Sequence, residues 1–117
     1  MALAALSGLA FPCCNSQAQD AAAGKAVFAQ CTACHAVDAK NGAGPSLKGV
    51  VGRTAGSAAG FHYSRAMMQA GFKWDASSLG AFIENPQKKI PGNVMPFSGL
   101  PDAKQRADLL AYLQTLN

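Results

Sequence analysis

Cys31-Thr32-Ala33-Cys34-His35 sets two cysteines three residues apart and puts a histidine directly after the second. Four chemistries use thiols at this spacing: a disulfide, a zinc site, a redox-active dithiol and thioether attachment of haem. On a helix, residues 31 and 34 lie on one face. Two thiols so placed reach the two vinyl groups along one edge of haem, and His35 can offer its imidazole to the iron. Zinc normally takes four Cys/His ligands. Even with His62 as the fourth, the adjacent Cys34 and His35 strain tetrahedral closure. A thioredoxin-like dithiol wants a βαβ setting, and no strand pattern flanks the motif. A plain disulfide fits the spacing but leaves His35 without a role. Haem attachment is the preferred reading, with the others still open.

Upstream, Asp20 is placed to cap a helix over about residues 21–33, with Val27 and Phe28 on one side. Residues 1–19 carry no Asp, Glu, Lys, Arg or His, and an apolar run from Ala2 to Phe11 precedes Pro12 and small polar residues. That pattern resembles a signal-peptide core and cleavage zone, without the usual positive start. Cleavage near Ala18 or Gln19 would remove Cys13 and Cys14, leaving Cys31 and Cys34 in a domain of residues 20–117. The run is too short to span a bilayer.

Downstream, Asn41 to Gly60 is glycine-rich with little helical or alternating pattern. In a chain of 117 residues, a loop of that length wraps something or carries function. A short helix is predicted over Ser64 to Ala70, stopped by Gly71. Asp75 caps another, with Leu79, Phe82 and Ile83 as its apolar stripe, ended by Asn85-Pro86. Residues 90–100 are irregular. A last helix places Pro101 at its first position and Leu109, Tyr112, Leu113 and Leu116 on one face. The expected fold is all-α: four to five short helices joined by long loops. Such helices are too few to close a tight bundle on their own side chains, which suggests an organic cofactor completing the core.

Half the residues are hydrophobic and 14% are charged, which is a globular balance rather than a disordered one. The net charge of +4 comes from scattered Lys and Arg, not from a block of the kind that binds nucleic acid.

An electron-transferring haem iron keeps two fixed ligands, and His/Met ligation raises its potential. Met67, Met68, Met95 and His62 are the candidates opposite His35. Met67 and Met68 fall in a short helix, where core packing is the ordinary role, and His62 reads as a loop histidine. Met95 is preferred. It lies in an irregular loop bracketed by Pro91-Gly92 and Pro96, where proline stiffness can hold a thioether against a metal.

From about Asp20 to Asn117 the chain resembles the class I c-type cytochromes, close to mitochondrial cytochrome c and its small bacterial relatives. The match rests on GKAVF before CTACH, GPSLKGVVGR, FHYSRAM followed by GFKW, ENPQKKIPGNVMPF, and the closing LLAYL. The resemblance implies one haem c joined by thioethers to Cys31 and Cys34, with His35 and Met95 as iron ligands. It implies that the Pro45 carbonyl accepts the other imidazole N–H. Arg53, Tyr63 and Trp74 match positions that hydrogen-bond the propionates, and Asn93 matches a polar position beside the methionine loop. Gly24 and Phe28 would cross the last helix near Leu109 and Tyr112, and Phe97 matches an aromatic near the exposed haem edge. Two departures stand out: Phe82 replaces a tyrosine of the mitochondrial relatives, and Met67 replaces a polar residue.

The implied function is a mobile one-electron carrier, not an enzyme. It would be monomeric and exported to a periplasm, meeting membranes only peripherally. Its partners would be acidic docking surfaces of membrane redox complexes in a respiratory or photosynthetic chain: a quinol–cytochrome c reductase type donor, and an oxidase or reaction-centre acceptor. Lys48, Lys88 and Lys89 would face those surfaces. The alternatives are an electron-entry subunit of one dehydrogenase and a haem peroxidase, the latter needing an open iron and His62 as distal base.

Overall fold

The computed structural model describes residues 19–117. The signal-like segment, apart from its last residue Gln19, lies outside the described residues, as do Cys13 and Cys14. Five helices follow in order: α1 Ala21–Phe28, α2 Arg65–Met68, α3 Ala76–Glu84, α4 Pro86–Lys89 and α5 Ala103–Leu113. Among the described residues there is no strand, only an isolated antiparallel bridge between Thr54 and Lys73. None of the helices described is long and apolar enough to cross a membrane.

Side-chain caps decide where the helices start. The Asp20 carboxylate accepts from the Ala22 and Ala23 N–H groups, and Ser64 Oγ accepts from Met67 N. Asp75 and Ser78 form a reciprocal capping box at α3. Asn85 both ends α3 and caps α4, accepting from Lys88 N at 3.1 Å, with Pro86 at the first helical position. The sequence reading placed a stop at Asn85-Pro86 and missed the single turn that follows. The last helix also starts two residues later than expected, at Ala103: Asp102 caps α5 through Gln105 N at 2.8 Å, so Pro101 precedes the cap.

The largest departure lies at the motif. The α-helix ends at Phe28 and does not reach residue 33. Beyond it the backbone tightens into three-residue turns, with Gln30 N on Val27 O at 3.2 Å, Cys31 N on Phe28 O at 2.8 Å and Cys34 N on Cys31 O at 3.1 Å. Thr32 Oγ1 donates to Ala29 O at 3.0 Å, taking a carbonyl that a continuing helix would have used. Cys31 and Cys34 therefore sit on a tight turn, not on a helix face.

Helices α1 and α5 cross at Gly24, with the Phe28 and Tyr112 rings tilted against each other, centroids 5.2 Å apart. Helix α3 packs on both α4 and α5. The buried apolar residues include Phe28, Val50, Trp74, Leu79, Phe82, Ile83, Leu109 and Leu113, and all of these line one internal cavity. These core side chains form the cavity's apolar walls.

Candidate functional site

The cavity measures about 380 Å³. Cys31, Cys34, His35, Pro45, Arg53, Tyr63, Trp74, Asn93 and Met95, the nine candidates from the sequence, all line it. Phe61, Leu47 and Met67 complete parts of its wall. His62 is exposed and outside it, and Met68 is 60% exposed.

Cys31 and Cys34 are not joined in a disulfide, and both are partly buried. Burial, and then the neighbouring Cys34, push the Cys31 thiol above its ordinary pKa. Among the described residues no group of three or more His, Cys, Asp or Glu side chains converges, which leaves zinc without a ligand set.

His35 is steered from behind. Its Nδ1 lies 2.7 Å from Pro45 O, which leaves Nε2 as the free ring nitrogen. The loop supplying that carbonyl is tied back to the motif by Gly44 N on Cys34 O at 2.8 Å and Leu47 N on Ala36 O at 2.9 Å. Asn41 fastens the same loop, accepting from Ser46 N at 2.9 Å and donating to Ala59 O at 2.8 Å. Gly44 was not singled out in the sequence, yet a Cβ there would fall 2.5 Å from His35 Cε1. Only glycine lets the loop lie flat against the imidazole. The one available signal was its place directly before Pro45.

On another wall, Arg53 Nη1 donates to Ser46 O at 2.9 Å and Lys48 O at 3.2 Å. Its Nε is buried with no partner. Tyr63 Oη accepts from Ala58 N at 3.0 Å, and Trp74 is buried against Phe82 with centroids 5.1 Å apart. Asn93 is buried: its Nδ2 donates to Pro86 O at 2.9 Å and Ile90 O at 2.8 Å, and its Oδ1 accepts from Met95 N at 3.1 Å.

Comparison with known proteins decides what this cavity belongs to. The model of the Cytochrome c family matches residues 21–117. Cytochrome c2 of Rhodoblastus acidophilus is 49% identical over 98 residues, covering 82% of this chain and 92% of that protein. Cytochrome c of Tetrahymena pyriformis is 47% identical over 98 residues, covering 83% of this chain and 89% of that one. The solved structure of cytochrome cH from Methylobacterium extorquens matches with a TM-score of 0.80 and 48% identity, over 82% of this chain and 98% of that chain.

The chain is a class I c-type cytochrome. It shares the class I fold, with short helices and long loops around the cofactor site, and its family consists of electron carriers rather than enzymes. Cytochromes of this family carry one covalent haem c, and Cys31 and Cys34 are the two cysteines among the described residues. The residues fit that group. The walls are mainly apolar, both thiols and the imidazole face the same space, and the orphaned Arg53 Nε is a buried cationic donor where an anionic propionate would satisfy it.

Proposed function

We propose that this cytochrome is a soluble, monomeric one-electron carrier in the periplasm, its haem iron held by His35 and Met95. The observation that carries the reading is that His35, with one ring nitrogen already engaged by Pro45 O, and Met95, with its backbone N–H bonded to Asn93, line the same apolar cavity as Cys31 and Cys34.

Haem c supplies a reversible ferric/ferrous couple; the protein controls its surroundings. Pro45 O holds the His35 tautomer and ring plane. Phe82, Trp74, Leu79 and Ile83 keep water away, which favours the less charged reduced iron. Arg53, Tyr63 and Trp74 take the propionate side, and Asn93 steadies the loop that carries Met95. If His35 and Met95 both hold the iron, no ligand position would be left for a substrate, and haem c would supply one-electron transfer alone.

The removable leader of residues 1–19 and the domain of residues 20–117 belong to this reading, because covalent haem attachment goes with an exported, initially oxidising setting. Lys48, Lys88 and Lys89 are exposed, and Val94 is 77% exposed beside Met95. Exposed lysines suit brief docking on acidic faces of a quinol–cytochrome c reductase type donor and an oxidase or reaction-centre acceptor.

The deciding experiment is the absorption spectrum of the oxidised protein. A far-red Met-to-iron band that disappears in Met95→Ala supports the carrier. High-spin iron in the wild type would overturn it in favour of a peroxidase. Co-elution with a single dehydrogenase on gel filtration would replace the free carrier with a dedicated electron-entry subunit.

A further inference from the structure

The loop that presents Met95 is held to α4 by two amide side chains, and only one of them is buried. Asn93 works from inside, through the bonds to Pro86 O, Ile90 O and Met95 N given above. Gln87 works from outside. Its Nε2 donates to Asn93 O at 2.7 Å, and its Oε1 accepts from Gly92 N at 3.2 Å. One exposed side chain from α4 thus engages both residues of the Gly92-Asn93 turn, two positions before Met95. Asn93 N on Ile90 O at 3.2 Å is the other backbone tie of this turn to the end of α4.

We infer that Gln87 is a positioning residue, a clasp whose opening sets how often the 92–95 segment releases Met95 from the cavity. This rests on Met95 being the distal ligand. The physical argument is one of leverage. Met95 can leave only if the turn before it swings away, because its own N–H is bonded to Asn93, two residues back. Buried Asn93 cannot follow unless its backbone carbonyl also parts from Gln87. Gln87 is exposed and its bond from Gly92 N lies at the surface, so the clasp is the first tie to break and the cheapest to remove without leaving a hole in the core.

The test compares wild type with Gln87→Leu, which keeps bulk and loses both bonds, and Gln87→Glu, which keeps only an acceptor for Gly92 N. Two readouts are measured on the haem-loaded protein: amide hydrogen exchange at Gly92, and the limiting rate at which added imidazole displaces the methionine in the oxidised state. Gln87→Leu should raise both by roughly 5- to 10-fold, as expected for losing two modest surface bonds, with Gln87→Glu between the two. The resting spectrum and the exchange of Leu109 and Leu110 amides should not change. Unchanged Gly92 exchange and imidazole kinetics in Gln87→Leu would overturn the clasp. Equal acceleration in α5 would also overturn it, as a global loss of stability. Absence of the Met-to-iron band in the wild type would instead overturn the ligand assignment and the link to Met95, while Gly92 exchange would still decide whether Gln87 holds the turn.

Discussion

Gly24 lies directly under the backbone of Asp108: a Cβ on Gly24 would fall 1.9 Å from the Asp108 carbonyl oxygen and 2.9 Å from Tyr112 Cβ. The α1/α5 crossing therefore has no room for a methyl group, and the obstruction is backbone, which cannot rotate away. Gly24→Ala must push the helices apart and loosen the Phe28–Tyr112 pair. The expected cost is about 3 kcal/mol or more, at the upper end for overpacking. Guanidinium denaturation of the haem-loaded variant measures it; a loss below about 1 kcal/mol would mean the crossing is more compliant than it looks.

The same crossing carries a charge. Asp108 is only 5% exposed, and its carboxylate accepts from Asp20 N at 3.0 Å and pairs with Lys104 Nζ. The Lys104 ammonium first, and the Asp20 N–H second, hold its carboxyl below the usual carboxylate range. Because the folded value is depressed, the ionised group stabilises the fold above the ordinary carboxylate pKa of roughly 4, and that contribution is lost as pH falls through the lower folded value. Asp108→Asn should be less stable than wild type at neutral pH, with the gap closing in acid. Thermal melts at a series of pH values check this; a gap that persists unchanged into acid would show that the ionic form is not what matters.

Arg53 offers a different lever. Its Nη1 is spent on loop carbonyls while its Nε faces burial unpaired, a loss of roughly 1–3 kcal/mol unless an acceptor arrives with the haem. A cation held beside the cavity stabilises ferrous over ferric iron, which carries one more positive charge. Arg53→Gln should therefore lower the midpoint potential, on the order of tens of millivolts, measured by protein-film voltammetry. An unchanged or raised potential would remove Arg53 from the electrostatics of the site.

How much of this could be read beforehand depended on what each residue announces. Cys31, Cys34, His35 and Met95 carry their chemistry in their residue type, and the stripe of Leu79, Phe82 and Ile83 carries its burial in its spacing. Those were legible. Residues 29–34 were not, because the choice between an α-helix and three-residue turns is made by carbonyl partners such as the Ala29 O taken by Thr32. Helix α4 is one turn held by the Asn85 side chain, too short to leave a periodic pattern. Gly44 and Gln87 looked like ordinary loop and surface residues. Their roles come from what stands opposite them, the His35 ring and the Gly92-Asn93 backbone, and tertiary closure alone brings these together.

Phe82 tests the cavity from its apolar side. It is 7% exposed, lies against Trp74 and shares the cavity wall with Met95, where mitochondrial relatives carry a tyrosine. Phe82→Tyr adds one hydroxyl without changing the ring. If Met95 holds the iron as proposed, a hydroxyl donating to its sulfur would draw electron density from it, the thioether would support ferric iron less well, and the reduced state would gain. A single such bond is worth about 0.5–1 kcal/mol of difference, roughly 20–40 mV upward for one electron. The Met-to-iron band should remain, because the ring still fills its place and Asn93 still holds the Met95 N–H. Voltammetry together with the oxidised spectrum separates the outcomes. A raised potential with the band intact supports a direct polar contact with the sulfur. An unchanged potential would mean that the hydroxyl turns away from Met95, and that the apolar character of Phe82 does not set the potential of this cytochrome.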